Sequence, residues 1–176
     1  MVRRSMAIGS IAVLLAAGGC SGGDADPSAT PGSTAPLCER IGTDTLRKVV
    51  PTFEPDPPGE GESDACVRLA SGTAEAPVGD FLRITIDDPS PGTDEECRNL
   101  ERDRGDATWM PPDHLGGVGD FACGTVVSGA DKGVVVTILS RRGGTHVSIS
   151  YGRTPGDVTT VREAVIDLAR TVMRRV

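Results

Sequence analysis

A chain of 176 residues with 18 Lys and Arg against 25 Asp and Glu is net −7, which disfavours nucleic acid or an anionic lipid surface as a partner. Its aromatic residues are one Trp, one Tyr and three Phe, too few to favour a large aromatic-lined pocket. The five cysteines are the remaining compositional signal, and their reading depends on where each falls along the chain.

The first predicted element is a signal peptide, residues 1–19. Arg3 and Arg4 precede Met6–Gly19, a stretch with no charged residue that contains Ile8, Ile11, Val13, Leu14 and Leu15. A positive start, a short apolar stretch and a small-residue end form the pattern of a secretory signal. About 13 such residues rise only about 20 Å as a helix, against roughly 30 Å of bilayer hydrocarbon, so a permanent span is not expected. The stretch ends in Ala17-Gly18-Gly19-Cys20. This resembles the lipobox of bacterial lipoproteins, whose cysteine takes a diacylglyceryl thioether before cleavage. The resemblance implies that Cys20 is lipidated. Two acyl chains on one residue hold a protein stably to a membrane, since each buried methylene contributes about 0.8 kcal/mol.

Loss of Arg3 and Arg4 with the signal leaves 16 basic residues against 25 acidic ones, net −9. Residues 21–36 are Ser, Gly, Asp, Ala, Pro and Thr, with no Leu, Ile, Val or aromatic. Such a stretch buries too little apolar surface to offset its ordering entropy, so residues 20–36 read as a lipid-anchored, disordered tether spanning about 20–25 Å. Leu37 to Val176 then forms one domain, long enough to bury a core.

Cys38, Cys66, Cys97 and Cys123 are an even set in an exported chain, which favours two disulfides. Three connectivities exist. The expected one is Cys38–Cys66 with Cys97–Cys123, the pairing that closes the shortest loops, each worth roughly 3–4 kcal/mol in the chain-entropy account. No C-x-x-C occurs and neither His lies at ligand spacing from a Cys, so no metal site is expected.

Within the domain, Thr43 or Asp44 can cap a short helix with Leu46, Val49 and Val50 on its apolar face, stopped by Pro51. Residues 54–64 hold three Pro and two Gly and form a loop. "ACVRLAS" reads as a strand with Ala65, Val67 and Leu69 facing in. "FLRITID" reads as a strand with Leu82, Ile84 and Ile86 in, and Arg83, Thr85 and Asp87 out. Thr93 and Glu96 have capping-box spacing at the start of a helix, where Asp94 and Glu95 complement the helix dipole. That helix carries little apolar surface beyond Cys97 and Leu100, so a disulfide at Cys97 would supply its attachment. "ATWMPPDHLGGVGD" reads as a loop. Three strands follow: "FACGTVVS", "GVVVTILS" and "THVSISYG". Val134 to Leu139 is apolar on both faces and therefore central. Val158, Val161, Val165, Leu168, Val172 and Val176 mark one stripe of a C-terminal helix, with Arg174 and Arg175 at its negative end. The order predicts an α+β domain: an antiparallel sheet of about five strands with helices packed on it.

Sites of chemistry are scarce. There is no G-x-S-x-G and no H-E-x-x-H. His146 falls on the polar face of its strand and is expected in solvent. His114, in the Pro- and Gly-rich loop, is the one histidine placed for a site. Reading Asp87 as the first position of a calcium loop puts Arg98 where a bidentate Glu is needed. Gly117 to Ala122 matches G-x-G-x-x-A but leads into a strand rather than a helix, so its glycines read as backbone devices. Trp109 and Met110 beside Pro111 and Pro112 form the only aromatic–apolar cluster outside a periodic element. They either cover an edge of the core or form an exposed recognition loop, and in the second case they are, with His114, the candidate contact residues.

The domain resembles a family of uncharacterised actinobacterial lipoproteins. The residues that carry the likeness are Cys20; Cys38 followed by Thr43-Asp44-Thr45-Leu46; Cys66 opening a strand; and Gly117 to Ala122 before two further strands and a helix. The resemblance implies an envelope lipoprotein on the extracytoplasmic face of the cell membrane, with no implied activity; secretion is the alternative. The expectation is a non-enzymatic module with no cofactor and no catalytic residue, binding an envelope protein or polymer. The alternatives are a small-ligand carrier or sensor, and a hydrolase using His114.

Overall fold

A computed structural model describes residues 35–54, 64–68, 71–72, 77–87, 92–129 and 133–176. The stretches read from the sequence as a signal and a tether, as far as residue 34 and with Cys20, lie outside the described residues, as do residues 55–63 of the acidic loop, Leu69 and the 88–91 stretch considered for calcium.

The domain opens with two helical turns, α1 (Leu37–Ile41) and α2 (Thr43–Arg47), where one helix was expected. Gly42 separates them with φ at 86°, a conformation that side chains disfavour. Leu37 and Ile41 are fully buried, as is Leu46, so both turns contribute to the core.

The strands are β1 (Ala65–Arg68), β2 (Ser71–Gly72), β3 (Pro77–Asp87), β4 (Thr108–Met110), β5 (Phe121–Ser128), β6 (Val134–Arg142) and β7 (Thr145–Thr154). Helix α3 (Thr93–Asp103) joins β3 to β4, and α4 (Val158–Arg175) closes the domain. Six strands lie in the order β1-β3-β7-β6-β5-β4, all antiparallel, with the short β2 paired to β3. The class is α+β, as expected. The extra strand is β4, which forms inside the stretch read as a loop.

Successive residues of a strand point to opposite faces. One row crosses the whole sheet on the core face: Cys66, Ile84, Ile149, Ile138, Gly124 and Met110 are register partners in turn. Against this face lie Val161, Val165, Leu168 and Val172 of α4, with Leu37 and Leu46 from the N-terminal turns and Val50 and Phe53 from the segment after them. Asp157 caps α4: its Oδ2 accepts from Thr160 N at 2.8 Å. The β1 expectation is inverted, because Cys66 is fully buried while Ala65 and Val67 are half-exposed. The Cys38–Cys66 bond, which joins β1 to α1 on the core side, sets that orientation.

The opposite face mixes polar residues such as Arg83, Thr85, Thr137 and Ser150 with Val127, Val135 and Leu139, and is covered at one end by α3. This helix buries only Thr93 and Cys97. It is held by the Cys97–Cys123 disulfide to β5, by an Asp94–Arg141 ion pair at 3.7 Å, and by a hydrogen bond of 2.5 Å between Thr93 Oγ1 and His146 Nδ1. Both disulfides have the expected connectivity. Two expectations fail here for one reason. His146 is buried, not exposed, because the first turn of α3 covers it. The capping box is absent: Gly92 occupies the cap position and the Thr93 hydroxyl engages His146 instead of the helix backbone.

Tyr151, the one tyrosine, is 1% exposed and donates its hydroxyl to Val49 O at 3.2 Å. Burial, then the nearby Asp80 charge, push its phenol up to about 12, with Arg153 opposing. The neutral phenol is the form the fold favours. Its contribution to stability is whole below the unfolded value near 10 and is lost as pH rises through about 12. Urea midpoints of the parent and Tyr151→Phe should therefore converge across that window, and phenolate absorbance should appear late in the folded protein.

The attachment of α3 gives a second expected outcome. Cys97→Ala with Cys123→Ala should cost roughly 3–4 kcal/mol of stability. Hydrogen exchange should quicken across Thr93–Asp103 while β6 and β7 keep their protection, since the helix has little burial of its own.

Candidate functional site

Strand β4 is three residues long and lies at the sheet edge, paired only with β5: Thr108 with Val126, Trp109 with Thr125, Met110 with Gly124. Period-two alternation sends Met110 to the core face and Trp109 to the face that α3 covers. Met110 is 4% exposed and is removed from the contact residues. Its methyl lies across Gly124, where an added Cβ would stand 2.7 Å from Met110 Cε and 2.4 Å from Thr137 O. The glycine makes room for the methionine, and together they seal the edge of the core.

Trp109 is half-buried and borders two clefts, one on each side of the edge. The first, of about 710 Å³, lies between β4 and α4. Val126, Met110 and Ile166 give it apolar surface, and Val158 at the start of α4 adds an exposed methyl pair. Its rim carries His114, Arg162, Glu163 and Arg170. Arg170 is fixed there: Nε donates to Gly116 O at 3.1 Å and Nη1 to Asp167 at 2.8 Å. His114 lies in the 3₁₀ turn Pro112–Leu115, exposed, at the mouth of this cleft.

The second cleft, of about 520 Å³, lies between α3 and the β4–β5 edge. Its walls are Arg98 and Glu101 of α3, Trp109 with Pro111, and Phe121 with Arg141. Asp120 holds its lower rim, accepting from Gly143 N at 2.8 Å and donating its own backbone N–H to Arg141 O at 2.7 Å. Gly119 allows that closeness, since a Cβ there would stand 2.4 Å from Arg141 O. The glycines of Gly117–Ala122 thus act on the backbone, as read from the sequence.

Two of the three contact residues, Trp109 and His114, therefore reach solvent around one sheet edge, and Met110 does not. The sequence reading missed Arg98, Glu101 and Phe121 as neighbours of Trp109. The signal for them was the Cys97–Cys123 pairing, which places α3 beside β5 and so beside β4. Among the described residues no group of three His, Cys, Asp or Glu side chains is arranged to hold a metal ion, and no helix is long and apolar enough to cross a membrane.

No protein-family model matches the chain, and no curated protein matches it. Among solved structures, a point mutant of the protein Mog1 is 15% identical over 72% of this chain and 82% of that chain, with a TM-score of 0.39, a likeness too distant to carry an argument.

Proposed function

We propose that this chain is a lipid-anchored extracytoplasmic envelope protein whose folded domain is a non-enzymatic binding module for an envelope protein or polymer. The anchor is Cys20 and the contact surface is the sheet edge around Trp109. Two disulfides within one domain support passage through an oxidising compartment. So does the signal pattern ahead of Cys20.

The observation that carries the binding reading is the position of Trp109. It is the only tryptophan in the chain, and it stands half-buried on the edge strand where two clefts meet. Tryptophan is enriched at energetic centres of interfaces, and a residue fixed in a strand loses little entropy when a partner covers it. The Cys97–Cys123 disulfide holds α3, the wall on one side of it, to β5.

Cell fractionation tests the anchor. Cys20→Ala should leave the membrane fraction for the soluble envelope fraction or the medium; a variant that stays with the membrane shows that another feature anchors the protein.

Crosslinking in the native envelope tests the surface. Trp109→Ala should weaken capture of the bound component by about tenfold or more. Its cost in stability should stay below the about 3–5 kcal/mol of a fully buried aromatic. Met110→Ala should do the reverse, lowering stability and leaving capture by the folded fraction intact. Equal capture by the Trp109 variant and the parent would refute the edge as the contact surface.

A further inference from the structure

We propose that the cleft between α3 and the β4–β5 edge is a saccharide site, which takes hexopyranose units of an uncharged envelope glycan. This rests on the reading of the Trp109 edge as a contact surface and names the class of ligand it holds.

A sugar ring presents an apolar C–H face and a rim of hydroxyls. Its recognition needs an aromatic plane for the first, and paired donors and acceptors for the second. The cleft has both. Trp109 and Phe121 border it, each half-exposed. The other aromatics are committed elsewhere: Phe53 and Tyr151 are in the core, and the Phe81 ring lies over Gly152, 1.9 Å from where a Cβ would be. The negative face of an aromatic ring attracts polarised C–H groups.

Arg98 and Glu101 supply the polar half. They are three residues apart on α3, hence neighbours on the helix surface. They present a guanidinium fork beside a carboxylate, and neither has a hydrogen bond or ion pair among the described residues. Each hydroxyl of a vicinal diol both donates and accepts, so a donor next to an acceptor matches it. Arg141 and Asp120 stand opposite, held in place by Asp94 and by the Gly143 N–H.

Charge balance narrows the class. Arg98 and Arg141 face Asp94, Glu101 and Asp120, so the cleft is nearly neutral. A polyphosphate or polyuronate finds no net positive field there, and a divalent cation finds no ligand cluster among the described residues. The volume of about 520 Å³ is within the range of about 300–1,000 Å³ usual for ligand clefts. The Cys97–Cys123 bond fixes the α3 wall against β5, so little ordering is needed on binding.

Trp109 is the sole indole and therefore its own reporter. The full chain, in a detergent without a sugar headgroup, would be titrated with chitotetraose and with maltotetraose while indole emission is followed. We expect a saturable blue shift with at least one of them. Arg98→Ala and Glu101→Gln, which keep Trp109 and lie on exposed helix positions, should each weaken that binding by about tenfold. Arg47→Ala, at an exposed position of α2 that borders neither cleft, should leave it unchanged. The proposal is overturned if neither sugar shifts the emission up to about 10 mM, a concentration that fills a site of millimolar Kd. It is overturned equally if Arg98→Ala and Glu101→Gln bind as the parent does, or if decaproline binds saturably and the sugars do not. Failure of the sugars with Trp109-dependent crosslinking intact removes the ligand class and leaves the contact surface standing. Loss of both removes the surface as well.

Discussion

An α-helix that buries only a threonine and a cysteine has no hydrophobic reason to lie on a sheet. In this domain α3 does so because a covalent bond, Cys97–Cys123, replaces the missing apolar stripe. Much of the second face follows from that bond. With α3 in place, Thr93 reaches His146 and Asp94 reaches Arg141. With α3 in place, the edge strand β4 also has a wall beside it, and a cleft exists where there would otherwise be open sheet. The core face is organised by ordinary burial under α4 and needs no such device.

The two faces therefore answer to different physics. On one, a row of register partners from Cys66 to Met110 packs against valines and leucines, and its cost of disruption scales with cavity volume. On the other, polar contacts and one crosslink position charged side chains near solvent, where they remain available to a ligand. A domain with both has a stable scaffold on one side and an adaptable surface on the other. That division suits the binding role proposed for it.

The same division explains which parts were legible in the sequence. Elements with strong periodicity, β3, β6, β7 and α4, were read in the right places because their apolar residues repeat at two or at 3.6. The disulfide pairing was readable from loop length. What failed was facing and covering. Alternation says that Cys66 and Val67 face apart, but not that a crosslink turns the cysteine inward. It puts His146 on a polar face, but not beneath the first turn of a helix that starts 53 residues earlier in the chain. Strand β4 was hidden because three residues between prolines and a helix give no period. It forms because β5 offers it a partner and Gly124 leaves room for Met110. Of the contact residues, the Pro-rich stretch left open whether Trp109 and Met110 cover the core edge or face solvent; the structure divides them, since Met110 is buried against that glycine and Trp109 is half-buried.

The bond between Cys38 and Cys66 has a mechanical consequence. It joins α1, the first element of the folded domain, directly to β1 in the sheet. Tension applied to the chain ahead of Ala35 enters α1 and passes through the sulfur bridge into β1, bypassing everything between the two cysteines. Leu46, Val50 and Phe53 sit inside that shunt and bear none of the load. A domain pulled by its leading end would thus load the pairing of β1 with β3 before it loaded Leu46, Val50 or Phe53.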